Sequence, residues 1–261
     1  RRKRAFVHNY TMPTKARRTT VRLTGIAQRS QGTHDSLCAY YSAAMLLCAL
    51  RPEYDEQFDA AHVGLDPLFG NLPRTRGTSV EGAVAEWLAS GVRLDSLARA
   101  LDRAGATGKS RARTRFVYRR ATRGDDTVDF LRRQIDRGLP CILGWESREL
   151  GDHTSLVVGY DRYAGSTSQW LRLADPIRTQ ALIEWGQLRA LAKARLELIV
   201  CTAHDGVRPD KLTVTRDGSG QLVGNRIERW DPRADGWQTI VPVTANERTA
   251  AKTRSIRQQH R

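Results

Sequence analysis

The sequence predicts an α+β fold, with helices gathered in the first part of the chain and an antiparallel sheet after them. Apolar residues recur at three- and four-residue spacing mainly before residue 105. After residue 110 they alternate or form short aliphatic runs, separated by turn signals such as Asp217-Gly218 and Asp235-Gly236. That order differs from the regular strand–helix alternation of a parallel sheet. The chain has 261 residues, 40% of them hydrophobic, with six Trp and seven Tyr, enough to bury a sizeable core and to exclude disorder throughout.

Residues 1–25 read as a basic arm with one short strand at Thr20–Leu23. A polar loop, Ala27–Asp35, leads into a helix from Ser36 to Leu50, whose apolar face comprises Leu37, Tyr40, Tyr41, Ala44, Met45, Leu47 and Cys48. Asp35 or Ser36 is the expected cap, and Arg51-Pro52 ends the helix. Gly64–Gly77 is loop; Ser79–Ser90 and Leu94–Arg103 are amphipathic helices stopped by Gly91 and Gly105. Thr114–Tyr118 alternates as a strand, and Thr127–Arg137 is a helix closed by Gly138. Strands follow at Cys141–Trp145, Thr154–Tyr160, Trp170–Ala174, Ala181–Trp185 and Leu196–Thr202, with a short helix at Gly186–Ala194 before the last. Lys211–Thr215, Asn225–Trp230 and Trp237–Val241 form an appended hairpin region. The expected organisation is an arm (1–25), a main domain (26–204), the appended region (205–245) and a basic tail (246–261).

The net charge of +15 is concentrated at the ends. Residues 1–22 hold eight Lys/Arg and no acid, and residues 246–261 hold five with one Glu, so the ends supply 12 of the 15 charges. A further run, Arg103–Arg123, has eight Lys/Arg and no acid. Such segments attract an acidic partner, or nucleic acid without sequence preference, or serve only as solvated tails. No apolar run approaches the roughly 20 residues of a membrane span. No secretory signal follows Arg1–Arg4, so a cytoplasmic location, or export without a cleavable signal, is expected. Cys38, Cys48, Cys141 and Cys201 are too few and too scattered for a disulfide scaffold and lack zinc-site spacing; no metal or cofactor is expected.

Cys38 stands two or three positions inside a helix start, where free amides and the helix dipole favour an anion. The thiolate is the nucleophilic form of cysteine. Cys48 lies deep in the same helix, and Cys141 and Cys201 in strand cores, so all three read as inert. A thiol nucleophile needs a base. His8 and His260 lie in the basic ends, His62 and His204 in polar connectors, and His34 in a loop with nothing to orient it. His153 instead opens the strand Thr154–Tyr160, at a rigid strand mouth.

A hairpin count selects the third member. If Thr154–Tyr160 and Trp170–Ala174 pair about a turn near Ala164-Gly165, opposed residues carry numbers summing to about 328, as His153 and Asp175 do. Asp175 then lies beside His153 and can hold the imidazole in its useful tautomer, whereas Asp161 lies near the turn, roughly 26 Å away at ~3.3 Å per residue. Taken singly, each residue reads as structural; as a set they match nucleophile, base and orienter. The Cys38 N–H and a loop amide, Gln31 first and Gln28 as fallback, would hold an oxyanion.

The segment Gln31-Gly32-Thr33-His34-Asp35-Ser36-Leu37-Cys38-Ala39-Tyr40-Tyr41-Ser42 resembles the glutamine–glycine…cysteine–aromatic–serine signature of papain-like cysteine peptidases. Gly151-Asp152-His153-Thr154-Ser155-Leu156-Val157-Val158-Gly159-Tyr160 resembles their histidine strand. Leu171-Arg172-Leu173-Ala174-Asp175-Pro176 is most similar to the bacterial branch that includes double-glycine leader peptidases, in which the third residue is an Asp before Pro. Two departures stand out. Six residues rather than the usual five separate Gln31 from Cys38, and Ala39 replaces the usual Trp or Gly. The resemblance covers roughly Gln28–Thr202. It implies a helical layer carrying the nucleophile, packed on an antiparallel sheet with the site in the cleft between, and hydrolysis of a protein or peptide substrate. Related chemistry on that fold would give a transglutaminase or deamidase. From a different class, a non-catalytic module binding nucleic acid or docking peptides stays open.

Overall fold

The computed structural model describes residues 16–29, 37–55, 89–107, 113–121, 126–147, 151–165, 169–177, 181–184 and 196–243, with positions 58, 68, 79, 82, 86 and 186 between them. The elements are β1 (Arg18–Leu23), α1 (Cys38–Leu50), a 3-10 turn at Pro52–Tyr54, α2 (Leu94–Thr107), β2 (Thr114–Arg120), α3 (Asp126–Asp136), β3 (Cys141–Ser147), β4 (Gly151–Tyr163), β5 (Gln169–Ala174), β6 (Ala181–Glu184), β7 (Leu196–His204), β8 (Lys211–Arg216), β9 (Leu222–Asp231) and β10 (Gly236–Val243). The loop expected at Gly64–Gly77 and the helices expected at Ser79–Ser90 and Gly186–Ala194 lie wholly or mostly outside the described residues. So do most of the N-terminal arm and all of the C-terminal tail.

The fold is mixed α and β, built on one antiparallel sheet of ten strands among the described residues. Its order is β10-β9-β8-β1-β4-β3-β7-β2, with β5 paired to β4 and β6 to β5. Alternation along β3 and β4 divides the core in two. Ile142 and Leu156 join Leu46, Leu47 and Leu97 of α1 and α2, whereas Cys141, Leu143 and Val157 join Val128, Leu131 and Ile135 of α3. Helices therefore cover both faces, rather than forming the one helical layer that the resemblance implies. Each large aliphatic side chain buried in this way contributes about 1.5–3 kcal/mol.

Gly105, expected from sequence to stop its helix, does not; α2 runs on to Thr107. The glycine instead admits a close approach, because a Cβ there would stand 2.6 Å from the Thr114 carbonyl oxygen. Asp102 on the same helix accepts hydrogen bonds from the Phe116 N–H and from Arg115 Nε, each at 2.9 Å, which covers the outer edge of β2. Gly138 does close α3, with φ of +75°.

The strands expected as an appended region continue the main sheet: β8 pairs along the whole of β1, from Arg18↔Arg216 to Leu23↔Lys211. No helix among the described residues is long and apolar enough to cross a membrane.

Candidate active site

Cys38 is the first residue of α1 rather than the second or third. The flanking position is Leu37, which makes no side-chain capping bond, so the Asp35 or Ser36 cap expected from sequence is corrected; both of those residues lie outside the described ones. The first N–H groups of a helix have no intrahelical acceptor, and Cys38 stands within that first turn. Ser42, one turn on, donates its hydroxyl to the Thr154 carbonyl oxygen at 3.2 Å, tying α1 to β4 one residue from His153.

His153 is the third residue of β4, because that strand begins earlier than its hydrophobic pattern suggests. It lies opposite Trp145 of β3, and the rings meet edge to face with centroids 4.9 Å apart and planes at 78°. Its Nε2 is 2.7 Å from Asp175 Oδ2. The hairpin register behind this contact differs from the one counted on the sequence. Near the turn, β4 and β5 pair as Arg162↔Gln169 through Gly159↔Arg172. That alignment, if continued, would oppose Asp175 to Leu156, which faces α1. A bulge between Val157 and Gly159 resets the pairing to Val157↔Leu173 and Leu156↔Ala174. The next position then opposes Asp175 to Ser155, which shares a face with His153. The true register differs from the counted one by two residues, an even number, and so the face is preserved.

Ser155 donates its hydroxyl to Asp175 Oδ2 at 2.8 Å and stands 3.3 Å from His153 Nε2. The Ile177 N–H donates to Asp175 Oδ1 at 2.8 Å. Cys38, His153 and Asp175 are all buried, with 6%, 9% and 5% of their surfaces exposed. Burial alone would lower the pKa of His153, but hydrogen bonds and charge from Asp175 and from the adjacent Cys38 push it up to about 9. Burial alone would raise the Asp175 carboxyl; His153, the Ile177 N–H and the Ser155 hydroxyl instead hold it below its ordinary value.

The remaining candidates separate clearly. Gln31 and His34 lie outside the described residues, as do His8, His62 and His260. Gln28 is at the site, where its Nε2 donates to the Asp175 carbonyl oxygen at 2.9 Å. Asp161 is held by two 2.8 Å bonds from Arg172. His204 is a buried strand residue rather than a connector residue, fixed between Thr114 Oγ1 at 2.9 Å and the Val207 carbonyl oxygen at 2.8 Å. Burial pushes the Cys48 and Cys201 thiols up to about 12 and raises Cys141 as well, as expected of inert cysteines.

Sequence reasoning gave no role to Ser155, Trp145 or Ser42. Ser155 was findable as the same-face neighbour of His153 two residues on; Trp145 and Ser42 required knowing which elements meet. Among the described residues no group of three or more His, Cys, Asp or Glu is disposed to hold a metal. No protein-family model matches the chain, and no curated protein matches its sequence.

Proposed function

We propose that this chain is a thiol hydrolase of peptide or isopeptide bonds, with Cys38 as nucleophile, His153 as general base and acid, and Asp175 as orienter. The observation that carries the reading is the buried relay from Cys38 through the imidazole to Asp175, its last link 2.7 Å long. The resemblance to papain-like cysteine peptidases at the segments around Cys38, His153 and Asp175 supports the same reading.

With Nε2 held by Asp175, Nδ1 is the nitrogen left to take the thiol proton. The thiolate attacks the substrate carbonyl carbon, and the oxyanion that forms lies beside the N–H groups at the start of α1. A side-chain amide from the preceding loop, Gln31 or Gln28, completes the donor set. His153 then passes its proton to the leaving amine as the C–N bond breaks, leaving an acyl-enzyme. Water, deprotonated by the same imidazole, releases the acid and restores the thiol. Capture of the acyl group by an amine, or attack on a glutamine side chain, would use the same residues and differ only in acceptor and cleft shape.

Intact-mass analysis with a thiol-reactive peptide warhead tests the nucleophile. One adduct is expected on the wild-type chain and none on Cys38→Ala, because burial raises the other three thiols and holds them protonated. Turnover of a panel of peptide and isopeptide substrates should vanish in the same variant and fall on the order of 10⁴-fold in His153→Ala. Labelling and turnover that survive Cys38→Ala would overturn the proposal. Product masses identify the reaction: chain cleavage for a peptidase, a gain of about one mass unit for a deamidase, amine addition for a transglutaminase.

A further inference from the structure

We infer that Ser155 is a positioning residue of this site, a buried hydroxyl that fixes both the Asp175 carboxylate and the proton on His153 Nε2. The inference rests on the reading of Cys38, His153 and Asp175 as a catalytic set and adds a fourth member that touches no substrate. Ser155 is fully buried in the middle of β4, where a hydroxyl without a partner would be costly. Its single proton goes to Asp175 Oδ2, the shorter of its two contacts at 2.8 Å. A lone pair of the same oxygen is then free to face His153 Nε2 at 3.3 Å.

The Nε2–H therefore meets two acceptors, the carboxylate oxygen and the serine oxygen, while the carboxylate is pinned on both oxygens, by Ser155 on one and by the Ile177 N–H on the other. Protonation at Nε2 leaves Nδ1 as the acceptor, the tautomer that can take a proton from Cys38. Residues 153 and 155 share a strand face, and the bulge before Gly159 brings Asp175 opposite Ser155. The geometry that places the orienter therefore also places its lock.

The test uses the full chain with His153 and Asp175 observed by NMR, so it does not depend on turnover. Three proteins are compared: wild type, Ser155→Ala, and Ser155→Thr, which keeps the hydroxyl. In wild type the neutral imidazole should carry its proton on Nε2, and the Ser155 hydroxyl proton should be visible and slow to exchange. Ser155→Ala should raise the Asp175 midpoint by about one pH unit and mix in the Nδ1–H tautomer, and Ser155→Thr should restore both. With a substrate in hand, Ser155→Ala should lower kcat roughly 10- to 100-fold with KM little changed, and move the acid limb of the pH profile upward. An unaltered Asp175 midpoint and tautomer in Ser155→Ala would overturn the inference. If that variant does not fold, absence of a slowly exchanging Ser155 proton in wild type overturns it instead. Expected NMR shifts in a chain whose Cys38→Ala variant retains full turnover would leave Ser155 as the lock on His153 and remove only the catalytic reading.

Discussion

At His153, burial and hydrogen bonding act in opposite directions on one ring, and hydrogen bonding prevails. Asp175 and the neighbouring Cys38 push the imidazole from an ordinary 6.5 up to about 9, so a proton taken from the thiol is held until the leaving amine accepts it. The folded-state value lies above the unfolded one, so the stability it contributes is complete below about pH 6.5 and is lost as pH rises through about 9. Asp175 has the opposite sign: its folded value lies below the unfolded one, so its contribution is present above the ordinary carboxylate range and is lost as pH falls through the depressed value. Urea midpoints of the wild-type chain should therefore decline between pH 6.5 and 9, and His153→Gln should flatten that decline. The basic limb of kcat/KM should fall near pH 9. A limb near the ordinary histidine value would mean that Asp175 does not hold the ring in solution.

At the scale of elements, the site depends on how closely β4 meets its neighbours. Gly159 is opposite Arg22, and a Cβ there would strike the Val21 carbonyl oxygen and lie 3.0 Å from Arg22 Cα, both backbone atoms of β1. Gly144 on β3 is also crowded, but by the Leu94 Cδ1 methyl at 2.5 Å, the far end of a side chain that can rotate. Gly159→Ala should therefore destabilise the fold by about 1–3 kcal/mol in urea titrations, and Gly144→Ala by less. Equal losses would show that β1 yields as readily as a leucine methyl. The β4 bulge belongs to the same scale. Ordinary alternation sends Leu156 and Val158 toward α1 while Ser155 and Val157 turn the other way, and the bulge resets β5 so that Asp175 joins the Ser155 face, which lets one strand serve both the helix core and the relay.

Across the whole molecule, β1 is the seam between the strands that carry the site and the three C-terminal strands. A second tie runs to the end of α3. Arg208 lies 3.5 Å over the Trp230 ring and donates to the Arg137 carbonyl oxygen, and Lys211 lies 4.2 Å over Trp237 and donates to that of Asp136. Two cations at a helix C-terminus complement its dipole. Deletion of residues 206–261 should therefore strip one whole edge from β1, lower the melting temperature and promote association through the exposed strand. Size-exclusion chromatography and thermal unfolding would register this. A truncated chain that is monomeric with unchanged melting would make these strands a separable appendage.

Much of this molecule is legible in the order of its residues. The periodicity of α1, the aliphatic runs of β3 and β7, the stop at Gly138 and the turn at Asp235, with φ of +47°, are local, because adjacent residues alone decide them. Cys38, His153 and Asp175 were nameable as a set because a thiol at a helix start and two polar residues at one end of a hairpin are local patterns as well. Tertiary structure decided what depends on distant partners: the bulge that turns Asp175 onto the His153 face, the Ser42 tie across 112 positions, the opposite placement of α3, and the pairing of β8 with β1, where Thr24 reaches Asp210 across 186 positions. Such contacts form when separate strands and helices bury their apolar faces together, and strand register depends on that packing as much as on the turn within a hairpin.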